Sequence, residues 1–415
     1  MLKSKYKNIG NCRVCKKNNF KKVFDFGPTP LANAFLKKEQ LNNTELYFPL
    51  EVYFCNNCSF LTLGHVVNPQ ILFQNYVYAS STSPVFVKHF EDLAHTSYSR
   101  FKLNRESLIV DIGSNDGILL KPFKKLGSKV LGIEPADLLA TMARRDGIST
   151  ITSFFSLNLA KRIVGKEGKA KIVAATNVFA HIDDLDEVVR GVKELLTDDG
   201  IFLLEVYYLV DLLKKGYFDL IYHEHLYYWT VNSFIRFFNR HGLEIFDVQK
   251  IPTHGGSIRI FVQNKKASYE VNPRVSKFIK LEKKEKLFDV NTYNEFAKNV
   301  QENKISLLAL LAKIKRGGKT IAGYGAPAKG NTLLNFFGIG RETIDFLIDD
   351  SPLKQGLFTP GMHIPVLPPN VLYQRKPDYL LILAWNFAPS IMKMHKRYKE
   401  NGGKFIIPVP RPVIV

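Results

Sequence analysis

Beyond residue 58 this 415-residue chain contains no cysteine. It also lacks any apolar run long enough to cross a bilayer, which takes about 20 residues. Its first residues (Met1-Leu2-Lys3-Ser4-Lys5-Tyr6-Lys7) lack the apolar core of a secretory signal. The cytoplasm is therefore the expected compartment, with no membrane partner, and a disulfide framework is not expected in that reducing setting. Low-complexity tracts are missing, and so is a basic-aromatic motif of the kind that reads RNA. Where a dinucleotide-binding chain would place Gly-x-Gly-x-x-Gly to seat a pyrophosphate, the glycines here are spaced differently.

The composition itself is that of a globular protein, 46% hydrophobic and 12% aromatic. The length exceeds what one hydrophobic core usually supports. The formal charge is +20, yet residues 101–200 are almost neutral and the excess lies toward both ends. Much of it is lysine mixed with glutamate at helical spacing, as in residues 277–286, the pattern of a solvated helix face. Nucleic acid is not the expected partner, and the basic balance serves to attract anionic small ligands.

The four cysteines form two pairs, Cys12-x-x-Cys15 and Cys55-x-x-Cys58. Two such hooks complete a tetrahedron around zinc, and four thiolates leave no position for a catalytic water. A structural zinc ion is expected. The surrounding segment is short and turn-rich, and needs its metal to compensate for a small core. Strands then alternate with helices from Leu108 to about Gln263: Leu108–Ile112, Lys129–Ile133, Ile172–Thr176, Gly200–Glu205 and Gly256–Gln263. That order implies a largely parallel sheet covered on both faces. Residues 268–316 read as charged amphipathic helices, and Thr320–Tyr324, Thr343–Ile348 and Tyr379–Ala384 as strands of a second α/β unit. The expected fold is α/β throughout: a zinc module over 1–75, a class I methyltransferase domain over 76–266, and a second Rossmann-like domain over 267–415.

The most informative residues are Leu108 to Gly117, where an apolar strand ends in Asp111 and breaks into the turn Gly113-Ser114-Asn115-Asp116-Gly117. Glycine lets the backbone pass close to a ligand. The next strand delivers Glu134, placed to accept both hydroxyls of a ribose. Asp111 would repel a phosphate, so a sulfonium cofactor without phosphate, S-adenosylmethionine, suits the turn. Asp111, Gly113, Asn115, Gly117, Glu134 and Asn177 are its expected contacts.

Chemistry is expected at the carboxyl ends of these strands. Asn177 and His181 follow one of them, and Tyr222-His223-Glu224-His225 lies beyond another. Two histidines two apart do not fit the helical zinc motif, which spaces them four apart. Tyr76 and Tyr78 stand at a domain junction, and His254-Gly255-Gly256-Ser257 precedes the last strand. In the third unit, the turn from Gly323 to Asn331, with Gly325 and Lys329, opens a helix whose amides and lysine would hold an anion. A nucleotide-linked substrate between the two turns is implied, with Tyr78, His254, Gly325, Lys329 and Asn331 as its contacts.

These motifs, together with Asp25-Phe26-Gly27-Pro28-Thr29-Pro30-Leu31-Ala32-Asn33 and Asn177-Val178-Phe179-Ala180-His181, resemble those of the sugar C-methyltransferases that build branched deoxysugars such as tetronitrose, mycarose and noviose. The resemblance covers nearly the whole chain. It implies a 4-keto-deoxysugar on a thymidine or guanosine nucleotide, methylated usually at C3, with zinc kept structural. It further implies that Tyr76, His181, Tyr222, Glu224 and His225 line the active site, His225 being the base. A C4 ketone acidifies the C3 proton, and a neutral histidine can remove it near pH 7. Glu224 is expected to orient the His225 ring, and Tyr222 or His181 to stabilise the oxyanion. A monomer is expected. Methylation at C5, an RNA-modifying methyltransferase and a catalytically silent binding protein remain the alternatives.

Overall fold

A computed structural model describes residues 5–73, 81 and 83–415. Its middle part is a seven-stranded sheet in the order Leu243–Ile251, Ser257–Asn264, Leu196–Tyr207, Ala170–Thr176, Leu108–Ile112, Lys129–Ile133, Thr150–Ile151. The second strand, Ser257–Asn264, runs antiparallel to both its neighbours, and the other six run parallel to one another. Successive residues alternate between faces. Ile109, Ile172, Ala174, Ile201 and Leu203 enter one core with helix Pro84–Arg100, while Val110, Val173, Ala175, Phe202 and Leu204 enter the other. Burying each such large side chain contributes about 1.5–3 kcal/mol, which is why this period-two pattern fixes the register.

The edge strand Leu243–Ile251 was not among the expected strands. Its apolar run is interrupted by Asp247, which lies buried at a register shift and pairs with Arg100 and Arg274, each at 2.7 Å. The predicted Gly200–Glu205 strand extends to Leu196–Tyr207, whereas Thr343–Ile348 shrinks to Leu347–Ile348.

The zinc module is an antiparallel sheet of Phe20–Pro30, Tyr47–Cys55 and Leu61–Leu63, to which a distant strand, Tyr227–Tyr228, is added. That addition carries Tyr222 to His225 against the module. Phe60 of the module packs on Trp229, which stacks on Phe234 at 3.9 Å between ring centres. The third sheet runs Val366–Leu367, Leu347–Ile348, Ile321–Tyr324, Tyr379–Ile382, Lys404–Ile407, Val413–Ile414, parallel except for its last strand. Helices Arg274–Lys284 and Val290–Arg316 join the two α/β sheets, as the charge pattern of residues 268–316 indicated. Among the described residues no helix is long and apolar enough to cross a membrane.

Candidate active site

The four cysteine sulfurs lie within 4.8 Å of one another. Cys12 Sγ is 3.5 Å from Cys58 Sγ, and Cys15 Sγ is 3.6 Å from Cys55 Sγ. Zinc–sulfur bonds of about 2.3 Å put tetrahedral sulfurs about 3.8 Å apart, so the cluster has the right size. The two hooks are alike in backbone as well. Lys16 N donates to Cys12 O and Ser59 N to Cys55 O, both at 2.8 Å, with φ of 62° and 59° at Lys16 and Ser59. The hydrogen bond between Cys12 and Cys58 holds the Cys12 thiol down at about pKa 5, and the same bond, with burial and the neighbouring sulfurs, pushes Cys58 up. A divalent cation would relieve that repulsion.

Around the first glycine turn the structure gathers negative charge. Asp111 is 2% exposed and its Oδ1 has no hydrogen-bond partner among the described residues. Burial, reinforced by Glu134 and Glu205, pushes its carboxyl well above the usual range. Glu134 accepts from Asn115 N and from Ala136 N, both at 2.9 Å, so the acid at the tip of the second strand shapes the turn directly. Gly113 has φ +70°, and a Cβ there would meet Val178 Cγ2 at 2.6 Å. Asn177, with φ 57°, also keeps a buried Oδ1 without a partner among the described residues. A close-approach turn beside orphaned, acid-biased oxygens fits a cationic ligand bearing hydroxyls, as S-adenosylmethionine does.

Sequence reasoning missed the support behind this cradle. Glu205 is fully buried, accepting from Arg259 Nε at 2.7 Å and meeting His89 Nε2 at 2.8 Å. Burial alone would raise its pKa, but His89 and Arg259 outweigh burial and keep it ionised. Arg259 sits opposite Glu205 across the Leu196–Tyr207 and Ser257–Asn264 strands, a register no linear pattern announces.

The segment Tyr222-His223-Glu224-His225 sends its side chains to different neighbours. His225 Nδ1 lies 2.7 Å from Leu220 O. A carbonyl can only accept, so Nδ1 carries the proton and Nε2 holds the basic lone pair. The His225 ring centre is 4.0 Å from that of Tyr222, 4.8 Å from Tyr207 and 5.0 Å from His181. Burial lowers the His181 pKa to about 4, keeping that ring neutral. Glu224 does not orient His225, contrary to expectation: its Oε1 accepts from Asn33 Nδ2 at 2.7 Å, and the Leu220 carbonyl takes the orienting role. Burial raises Glu224 to about pKa 7, with Asn33 opposing. His223 is structural, its Nε2 3.2 Å from Phe48 O and its pKa lowered to about 4 by burial. The Tyr76 and Tyr78 assignments lie outside the described residues, as does the His254 side chain.

The second glycine turn differs from the anion cradle read in its sequence. Ala326 N donates to Asp349 Oδ2 at 2.6 Å, so a carboxylate already holds the amide that a phosphate would need. Gly325 has φ +84°, and a Cβ there would meet Ala384 Cβ at 2.8 Å. Asn331 is fully buried and donates to Ala32 O at 2.7 Å, which makes it a tether to the zinc module rather than a substrate contact. Lys329 is half-buried. Its Nζ lies 3.8 Å over the Trp385 ring and donates to Asn386 Oδ1. Burial lowers the Lys329 pKa to about 7, with Asp219 opposing. Asp219, raised to about 6 by burial, accepts from Trp385 Nε1 at 2.6 Å and so ties the middle unit to the third.

Three family models match in succession: a proposed zinc-binding domain over residues 12–73, a methyltransferase domain over 88–248, and a C-methyltransferase C-terminal domain over 252–410. The C-methyltransferase NovU of Streptomyces niveus is 40% identical over 407 residues, covering 98% of this chain and 97% of that protein. A ubiquinone biosynthesis O-methyltransferase of Methylobacterium sp. (strain 4-46) is 26% identical over 125 residues, 29% of this chain and 50% of the relative. Among solved structures, the magnesium protoporphyrin IX methyltransferase of Synechocystis aligns with 42% of this chain and 78% of its own, at 14% identity and a TM-score of 0.32. With a relative of that identity along its whole length and all three models in order, this chain belongs to the S-adenosylmethionine-dependent C-methyltransferases.

Proposed function

We propose that the chain methylates C3 of a 4-keto-6-deoxyhexose carried on a thymidine or guanosine diphosphate. The observation that carries this reading is the His225 ring: Nδ1 is fixed on the Leu220 carbonyl, which leaves Nε2 as the base beside Tyr222, Tyr207 and His181. A carbon acid needs such a group, because a C–H bond becomes nucleophilic only when its proton is removed next to a carbonyl. S-adenosylmethionine, when bound by Asp111, Gly113, Asn115, Gly117, Glu134 and Asn177, supplies an electrophilic methyl.

In this scheme His225 Nε2 takes the C3 proton. Tyr222 and the neutral His181 donate toward the C4 oxygen as charge develops there. Lys329 and the Gly325 turn meet the nucleotide side of the substrate, with the ammonium rather than the Ala326 amide facing phosphate. Zinc holds the module that presses Tyr222 to His225 into place and takes no part in proton transfer. Incubation with S-adenosylmethionine and a panel of nucleotide 4-keto-6-deoxyhexoses, followed by mass spectrometry, tests the proposal. One methyl added to carbon on one sugar supports it. No gain on any sugar, with both ligands bound, rejects it.

A further inference from the structure

Among the described residues, hydrogen bonds from the zinc module reach the active-site segment at Leu226, His223 and Glu224. Leu63 N donates to Leu226 O at 2.9 Å, His223 rests on Phe48 O, and Asn33 donates to Glu224. The first two hold the course of the segment. Only the third touches a group that can exchange a proton with a substrate. We infer that Asn33 is a positioning residue of the reaction: by donating to Glu224 Oε1 it leaves Oε2 as the oxygen that carries the acid's proton. The substrate in this inference rests on the function proposed above; the role of Asn33 toward Glu224 does not.

The geometry restricts Asn33 to that role. Its neighbour Ala32 is tethered by Asn331, Ala34 N donates to Leu31 O at 3.0 Å, and Phe35 N donates to Asn33 O at 3.0 Å. The loop therefore cannot follow a moving carboxyl, and the carboxyl must conform to the loop. Glu224 is 3% exposed, and Asn33 is its one hydrogen-bond partner among the described residues. An oxygen that accepts an N–H is the poorer place for a proton, so the neutral acid is written with its O–H on Oε2. In that form Glu224 donates to a substrate oxygen; ionised, it can only accept.

The titratable groups beside Glu224 are its chain neighbours His223 and His225, with Tyr222 and His181 packed on His225. Burial holds Glu224 near pKa 7, and the Asn33 amide is the influence that opposes it. Removing that donor disfavours the ionised form. The neutral acid then persists to higher pH, and the alkaline limb of the rate profile moves up with it.

The test uses the full chain with zinc bound and glutamate labelled with ¹³C at the side-chain carboxyl, the Glu224 resonance being assigned by its loss in Glu224→Gln. Asn33→Ala is expected to raise the Glu224 midpoint by about one pH unit. Asn33→Gln, which keeps an amide donor, should shift it less. Zinc content and affinity for S-adenosylmethionine should match the parent protein. In the Glu224→Gln background, Asn33→Ala should no longer move the alkaline limb. Should Asn33→Ala fail to fold, Asn33→Leu removes the donor in a similar volume without adding a charge, and must raise the midpoint likewise. An unchanged midpoint in a folded, zinc-loaded variant overturns the inference. Failure of the sugar chemistry would appear separately, as a parent protein that turns over no 4-keto sugar while the carboxyl titration still decides the role of Asn33.

Discussion

The two glycine turns are built on one plan and differ in the side-chain charge around them. In the middle sheet Glu134 accepts from Asn115 N in the turn and from Ala136 N two residues ahead of itself. In the third sheet Asp349 accepts from Ala326 N in the turn and from Ser351 N, again two residues ahead, at 2.6 and 2.9 Å. Each acid stands just past the strand next to its turn. The surroundings then diverge. The first turn adds Asp111 with an orphaned oxygen and the nearby Glu205, so its bias is negative and it suits a cation. The second offsets its acids, Asp349 and Asp350, with Lys354 at 3.7 Å from Asp349 and with Lys329 over Trp385, so positive and negative groups meet there. A βα turn therefore does not define its ligand; the side chains that converge on it do.

The sharpest way to separate the two turns from the chemistry between them is His225→Ala. Loss of a general base costs about 10²–10⁴-fold in turnover. Binding of S-adenosylmethionine and of the nucleotide sugar should each change by no more than about threefold in calorimetry, since a base acts chiefly in the transition state. Next come the paired glycine substitutions. Gly113→Ala forces a Cβ against Val178 at positive φ, and S-adenosylmethionine affinity should fall by at least about tenfold. Gly325→Ala meets Ala384 and should leave that affinity intact while raising KM for the nucleotide sugar. If both variants lost the same ligand, the division of labour between the turns would be wrong.

A smaller effect separates the two acids. Glu134→Gln keeps the shape but removes the charge, and should weaken S-adenosylmethionine several-fold. Asp349→Asn should leave that affinity alone and lower the melting temperature, because it weakens the grip on Ala326 and Ser351. The mildest contrast is in pH. Asp111 is raised, so protonation on acidification removes the charge that attracts the cofactor, and its affinity should fall as pH drops. Lys329, lowered to about 7, loses its proton as pH rises, so nucleotide-sugar affinity should fall above pH 7. Opposite slopes in the two binding titrations are the expected signature.

Much of this was legible in the sequence because it is local. The paired cysteines stand out by spacing alone, and so do the run from Asp111 to Gly117 and the Glu134 that shapes its turn. What stayed hidden depends on residues far apart in the chain. Asn33 and Glu224 are 191 positions apart, Glu205 and Arg259 are 54 apart, and Ala326 receives its acid from the far side of a helix. The Leu220 carbonyl that orients His225 is a backbone atom, and no side-chain pattern could have named it. For Lys329 the sequence showed the charge, but the Trp385 face and the Asp219 partner came only with the fold.

The central claim is that His225 makes a carbon nucleophile by removing a proton beside a ketone, and this can be tested without the methyl donor. The nucleotide 4-keto-6-deoxyhexose is incubated with the zinc-loaded protein in D₂O and followed by NMR. The account predicts rapid loss of the C3 proton signal with the parent protein and only the background rate with His225→Ala. Equal exchange in the variant, or exchange confined to C5, would contradict it.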